Sequence, residues 1–365
     1  MARLGDVCTK GTSNIAQKDL EGRNGNYPIY GASGFITNVD FYQQENPYIA
    51  VVKDGAGIGR IMKLPAKSSV IGTMQYIIPS DTVDISYLAY AMEYMNLSKY
   101  FTGATIPHIY FKDYQKEELP LPPLDEQRKI AAVLDKVSGL IAKRRQQLDK
   151  LDLLIKSRFV EMFYNTRNNA NWPIVTMADI STDMRTGPFG SALHHDEFVE
   201  TGIFVLGIDN AVENRFSYNR MRYITEEKYE QLKRYTVRPG DVIITIMGTV
   251  GRSAVIPDNI PKAINTKHLA CLTIDRSKAQ PTFICSAFQM HPEIRQQLTG
   301  QAKGAIMDGL NLTIIKKLCF KLPPIEIQNK FVEFFNLTEK TKTTISRSLE
   351  KLETLKKALM QEYFG

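Results

Sequence analysis

Residues 121–163 begin LPPLDEQRKIAAVLD, and residues 322–364 begin LPPIEIQNKFVEFFN. With a constant shift of 201 residues (322 against 121) the two stretches align without a gap. Leu121, Pro122, Pro123, Gln127 and Lys129 meet Leu322, Pro323, Pro324, Gln328 and Lys330. Farther along, LDKLDLLIKSRFVEMF faces LEKLETLKKALMQEYF. There Leu148, Lys150, Leu151, Leu154, Lys156, Glu161 and Phe163 recur as Leu349, Lys351, Leu352, Leu355, Lys357, Glu362 and Phe364. Two helices can share a heptad by accident. A common Leu-Pro-Pro start in a gapless register is much harder to reach that way, so the pair reads as an internal duplication.

Both stretches predict long amphipathic helices. Proline cannot continue a helix from upstream, so Leu-Pro-Pro marks a firm N-terminal start. In the first copy the apolar positions are Ile130, Leu134, Val137, Ile141, Leu148, Leu151, Ile155 and Met162, with spacings of three and four broken once at Arg144. In the second they are Phe331, Phe335, Ile345, Leu349, Leu352 and Leu359, with Thr338, Lys342 and Lys356 at polar seam points. This is a coiled-coil seam. A helix of about 40 residues is about 60 Å long and needs a partner for its stripe. The natural partner is the other copy, packed antiparallel, because the first helix carries the chain away and the second returns. The competing arrangement packs each helix on its own domain. Flanking apolar residues (Val133, Leu140, Leu153, Leu154 and Phe159) widen the stripe enough for a further protein partner.

The rest of the chain divides around these helices. The plan is a first domain at 1–120, a helix at 121–165, a second domain at 166–321 and a closing helix at 322–365. The expected fold class is α+β: two mixed α/β domains separated by a pair of long antiparallel coiled-coil helices, with a pseudo-twofold internal repeat. Candidate strands are 48–52, 58–63, 70–78, 203–208, 242–247, 252–257 and 268–274, and candidate domain helices are 84–99, 225–233 and 282–298. At 365 residues, 43% hydrophobic and 23% charged, the chain has the balance of a soluble globular protein with material for two cores. No apolar run approaches membrane-spanning length, and the N-terminus lacks the apolar core of a signal peptide. Cys8, Cys271, Cys285 and Cys319 are scattered and read as free thiols of a reducing cytoplasm. Of the net charge of +7, the two helical stretches carry +4, so any nucleic-acid contact must rest on local patches and not on bulk charge.

The candidate binding residues lie in glycine-rich loops. GRNGNYPIYGASGFI at 22–36 offers Arg23, Asn24, Tyr27 and Tyr30, with Arg and Asn suited to the edges of guanine and adenine. The bland alternative is a tight turn with a structural tyrosine. Gly55-Ala56-Gly57-Ile58-Gly59-Arg60 is neither a dinucleotide fingerprint nor a phosphate loop, and a glycine turn between two strands explains it. Gly248-Thr249-Val250-Gly251-Arg252 echoes it in the second domain. Lys53, Arg60, Arg252 and Lys267 beside these turns are candidates for phosphate or base contacts. RTGPFGSALHHDEF at 185–198 adds Arg185 and Ser191. Its adjacent His194 and His195 have no third ligand at a convincing spacing, so no metal site is expected. No nucleophile elbow, Cys–His pattern, Walker loop or carboxylate–lysine nuclease constellation is found, and no catalytic residue is assigned.

The twin LPPLDEQRKIAAVLD and LPPIEIQNKFVEFF starts, the helix ends LIKSRFVEMF and LKKALMQEYF, and the YPIYGASGFI segment resemble the specificity subunit of type I restriction–modification systems. The resemblance runs over essentially the whole chain. It implies two target recognition domains that read the halves of a split, asymmetric sequence in double-stranded DNA, with the helices as a ruler between them. It implies docking of two methylation subunits and of a motor–nuclease restriction subunit. S-adenosylmethionine, ATP and Mg would be bound by those partners and no cofactor by this chain, which would do no chemistry and would work in a prokaryotic cytoplasm. Little sequence precedes the first domain, so the C-terminal helix is expected to do most of the work of closing the arrangement. Two other readings stand beside this one: a coiled-coil scaffold without DNA reading, and an autonomous DNA nuclease.

Overall fold

The computed structural model describes residues 1–103, 107–164, 167–189, 192–301 and 310–365. The chain forms two compact units, Met1–Gln147 with Ile345–Gly365, and Leu148–Thr344. In chain order the first domain contains β1 (Ala2–Arg3), α1 (Leu4–Val7), β2 (Cys8–Thr12), β3 (Tyr27–Gly31), β4 (Gly34–Val39), β5 (Tyr48–Val52), β6 (Ile61–Leu64), β7 (Ser69–Val70), β8 (Met74–Pro79), α2 (Ile85–Met95), α3 (Phe111–Tyr114) and β9 (Glu118–Leu119). The long helix α4 (Leu124–Phe163) follows. The second domain contains β10 (Ile174–Thr176), β11 (Ser181–Thr186), β12 (Ile203–Leu206), β13 (Tyr223–Ile224), α5 (Glu226–Leu232), β14 (Val242–Thr245), β15 (Ser253–Val255), β16 (Ala263–Asn265), β17 (Leu269–Ile274), α6 (Pro281–Met290), α7 (Pro292–Gln301), α8 (Leu312–Lys317) and β18 (Cys319–Lys321). The second long helix, α9, runs from Ile325 to Phe364.

The duplication extends through the domains strand by strand. The first unit has an antiparallel sheet in the order β2-β8-β5-β6, a sheet β4-β3-β7 and a ribbon β1-β9. The second has β11-β17-β14-β15, β13-β12-β16 and β10-β18. Even the parallel pairs correspond, β3 with β7 and β12 with β16. Apolar runs such as YIAVV at 48–52 form central strands because both faces are covered. Ile49 and Val51 pack with Tyr87, Leu88 and Met92 of α2, whereas Tyr48, Ala50 and Val52 pack with Met74 and Tyr76. In the second unit Val242 and Ile244 face Phe283 and Phe288 of α6, while Ile243 faces Phe204 and Leu206.

Each long helix gives one half to each unit. In the first unit Leu134 shares a core with Met360 and Phe364, and Arg145 pairs with Glu353 at 2.6 Å. In the second, Asp152 pairs with Lys342 at 2.5 Å, and Phe159 packs on Phe331 with ring centroids 5.3 Å apart. The partner number falls as the α4 number rises, so the pair is antiparallel within each unit. Of the seam residues, Leu134, Val137, Ile141, Ile155 and Phe331 are buried. Ile130, Leu148, Leu151, Phe335, Ile345, Leu349, Leu352 and Leu359 are half-buried. Packing on the partner helix and packing on a domain coexist, because the helix ends also enter the domain cores.

Three details depart from the sequence reading. Phe159 is not a flanking residue: it is fully buried among Phe163, Phe283 and Phe331. The helix expected at 282–298 is two helices, α6 and α7, divided at His291 because Pro292 offers no N–H to continue the first. The strand expected at 70–78 is interrupted at Gly72, whose N–H donates to the Ile15 carbonyl (2.8 Å) instead of to a neighbouring strand.

Candidate nucleic-acid interface

The glycine turn at 55–60 joins β5 to β6, the strand-to-strand reading of that motif. Gly55, Gly57 and Gly59 all have positive φ, which is why three glycines alternate there. A Cβ at Gly59 would also lie 2.5 Å from the Ser98 nitrogen, just past the end of α2. The turn closes with Gly59 N donating to Val52 O (2.8 Å) and Val52 N to Arg60 O (3.0 Å). The second unit repeats this: Gly251 N donates to Thr245 O (2.9 Å) and Thr245 N to Arg252 O (2.8 Å). Arg60 and Arg252 are therefore structural equivalents, each following a left-handed glycine.

Neighbouring loops gather at the same end of each domain. In the first unit Arg60 Nη1 donates to Ala32 O (2.8 Å), tying the β5–β6 turn to the β3–β4 turn. Lys53 N donates to Thr73 O (3.0 Å) and Gly55 N to Pro107 O (3.0 Å). Asp54 pairs with His108, and the Lys53 Nζ lies 3.9 Å from the Asp54 carboxylate. In the second unit Ile246 N donates to His268 O (2.9 Å), placing the Arg252 turn beside Lys267. Gly187 passes so close to Asn265 and Thr266 that a Cβ would clash with their backbone, and a Cβ at Gly248 would come within 3.2 Å of the Ile208 side chain. Burial first, then the cations Lys267 and Arg222, holds the His268 imidazole below its ordinary pKa, so His268 is neutral at pH 7 inside a positive neighbourhood.

The structure thus brings together Lys53 and Arg60 in one unit, and Arg252 and Lys267 in the other. It does not bring the remaining candidates to the same place. Arg23 and Asn24 precede β3, about 16 Å of strand away from Ala32. Arg23 is held by Asp40 at 3.1 Å and lies over the Phe41 ring. Tyr27 packs edge-on against Tyr42, and Tyr30 against Phe35, so their rings are partly spent on the hairpin. Arg185 is not a loop residue. It lies on β11, its side chain only 12% exposed, and its guanidinium donates to Asp241 (2.7 Å), Asp183 (2.5 Å), Thr273 (3.1 Å) and the Thr236 carbonyl (2.6 Å). An arginine so engaged braces the core, and its reading as a DNA contact gives way to that role. Ser191 lies outside the described residues.

Sequence reasoning missed the exposed aromatic and apolar residues of these loops. Phe35 at the β3–β4 turn is 59% exposed and Phe189, after β11, is 62% exposed. Met247 and Val250 are exposed in the turn before Arg252, and Tyr110 is exposed beside His108. For all of these but Tyr110 the sequence signal is a large apolar residue next to a glycine, as in Gly34-Phe35. Among the described residues, no group of three or more His, Cys, Asp or Glu side chains could hold a metal ion. No described helix is long and apolar enough to cross a membrane.

Paired α/β domains, each ending in exposed basic and aromatic loops and each joined to a long helix, define a double recognition module. The family described as type I restriction modification DNA specificity domain matches residues 1–152 and 164–354, one match for each repeat, and the chain belongs to that family. The specificity subunit of the type I restriction enzyme MjaVIII from Methanocaldococcus jannaschii is 22% identical over 345 residues, which cover 89% of this chain and 80% of that protein. The EcoBI specificity subunit from Escherichia coli is 22% identical over 291 residues, covering 72% of this chain and 61% of that protein. The crystal structure of a type I restriction–modification S subunit from M. genitalium has the same fold, with a TM-score of 0.66, 14% identity, and coverage of 100% of this chain and 95% of that one. The chain is a type I specificity subunit whose work is the recognition of DNA sequence.

Proposed function

We propose that each unit reads one half of a split DNA site through its gathered loop end. The carrying observation is the equivalence of the two turns, with Arg60 and Arg252 at matching positions beside exposed apolar side chains. Lysine and arginine in such loops hold phosphates or guanine edges, and exposed apolar groups contact thymine methyls or stack on bases. The loops differ in sequence between the units, which suits an asymmetric bipartite target. The exposed apolar residues of the long helices, including Leu153, Leu154, Leu337 and Leu355, suit docking of two methylation subunits, with a motor–nuclease subunit completing the restriction complex. S-adenosylmethionine, ATP and Mg belong to those partners in this reading, the present chain supplies specificity without chemistry, and the complex works in the cytoplasm. Co-expression with its methylation subunit, followed by methylome sequencing, tests this. A single modified bipartite motif that disappears without this chain is expected. A wild-type complex that assembles but modifies no such motif would favour the scaffold reading instead.

A further inference from the structure

The glutamine of the duplicated Leu-Pro-Pro-x-x-x-Gln motif makes the same three hydrogen bonds in both units. Gln127 Oε1 accepts from Asp84 N (2.8 Å), and its Nε2 donates to Thr82 O (3.2 Å) and Pro122 O (2.8 Å). Gln328 Oε1 accepts from Gln280 N (2.9 Å), and its Nε2 donates to Lys278 O (3.2 Å) and Pro323 O (2.8 Å). The two side chains are 1% and 0% exposed, so the amide has no competing water. The groups around them have drifted apart. Asp84 caps α2 with its carboxylate, whereas Gln280 makes no cap bond and instead reaches Asn329 at 2.8 Å. Tyr87 donates to Pro120 O, whereas α6 has Phe283 at the same point of its first turn. What the two copies share is the glutamine and its three partners.

Those partners include the residue just before α2 or α6, the helix that reaches the reading loops. Past the end of α2, Leu97 and Ser98 pack against Gly59, whose neighbour Arg60 holds the β3–β4 turn. In the second unit Gln289 of α6 donates to Ser253 O (3.0 Å), directly after Arg252, and Ser253 Oγ donates to Cys285 O (3.2 Å). The glutamine therefore grips one end of a rigid lever whose other parts touch the Arg60 or Arg252 turn. We infer that Gln127 and Gln328 are positioning residues that fix the aim of each loop end relative to its long helix, and so set the fidelity with which each unit reads its half-site.

The inference rests on the proposed reading of split DNA, and the wild-type complex in the same experiment separates the two. Complexes carrying Gln127→Met or Gln328→Met are compared by methylation rate at cognate sites and at sites with one mismatch in either half. Gln127→Met is expected to lower discrimination about tenfold in one half only, the scale of a lost buried hydrogen bond, and Gln328→Met in the other half only. Gln127→Asn and Gln328→Asn, which keep a neutral amide on a side chain one methylene shorter, are expected to fall between wild type and the Met variants and serve where those do not fold. Asp84→Ala removes the α2 cap but leaves the N–H that Gln127 holds. It is expected to lower the melting temperature without changing discrimination. Unchanged discrimination in the glutamine variants, equal loss in both halves, or the same loss in Asp84→Ala would overturn the inference. A wild-type complex without any bipartite motif would instead sink the reading beneath it.

Discussion

Arg185 and Arg252 look alike in the sequence, since both stand beside Gly or Thr in polar stretches. Their side chains have opposite fates. Arg185 is spent on Asp241, which is 1% exposed and also accepts from Thr273 Oγ1 (2.7 Å) and Arg238 N (2.9 Å). Removing one partner of such a pair leaves the other charge buried and unpaired. Arg185→Ala should therefore cost about 3–5 kcal/mol in urea denaturation. Arg252 is exposed, and its guanidinium has no hydrogen bond or ion pair among the described residues. Arg252→Ala should change stability by less than about 0.5 kcal/mol. It should weaken DNA binding and reduce the slope of log affinity against log salt by about one, measured by a salt titration of the assembled complex. An Arg252→Ala complex with unaltered affinity and slope would remove this residue from the interface. At this scale the sequence exposes residue types but not commitments, because whether a cation is free depends on partners such as Asp241, 56 residues from Arg185.

Elements were legible where burial is two-sided or the period is long. The continuous run YIAVV and the paired seams of α4 and α9 carry their own pattern. Edge strand β11, read as STDMRT, has neighbours on one side only, needs no apolar alternation and shows none. The β3–β4 hairpin was similarly hidden by its glycines and by Pro28. Glycines separate the two situations experimentally. Gly59 combines φ of +78° with a Cβ position 2.5 Å from backbone, so Gly59→Ala should destabilise the chain by about 2 kcal/mol or more. Gly139, in the middle of α4, is exposed with nothing within 4 Å of an added Cβ. Gly139→Ala should stabilise by about 1 kcal/mol, since alanine relieves the helix of glycine's backbone entropy. Thermal unfolding of both variants checks the contrast: similar shifts of the same sign would contradict it.

At the scale of the whole chain, duplication turns a covalent order into two cores, the second built from one continuous stretch and the first completed by a segment distant in sequence. Phe159 and Phe163 at the end of α4 enter the core that contains Phe283 and Phe331. Met360 and Phe364, their counterparts at the end of α9, enter the core that contains Tyr87 and Leu134. Phe364 lies 5.1 Å from Tyr87 between ring centroids, Tyr94 bonds Gln361 at 2.9 Å, and Lys356 bonds Glu93 at 2.8 Å. The first domain is therefore finished by residues 345–365, although they are the last to be made. The repeat made the helices legible and already aligns Met360 with Phe159, but it did not show this exchange of ends, because which core each helix end enters depends on packing that the alignment does not carry. Deleting residues 345–365 should expose the apolar face of α2 and release the first unit, whereas the second, bounded by Leu148 and Thr344, keeps its own core. Limited proteolysis with mass spectrometry should then show early cuts within residues 1–120 and protection of 170–290. Phe364→Ala should reproduce the effect in milder form, at about 3–5 kcal/mol for a buried phenylalanine. Equal loss of protection in both units would mean that the two cores fold as one cooperative body, and the division of labour between the helix halves would have to be abandoned.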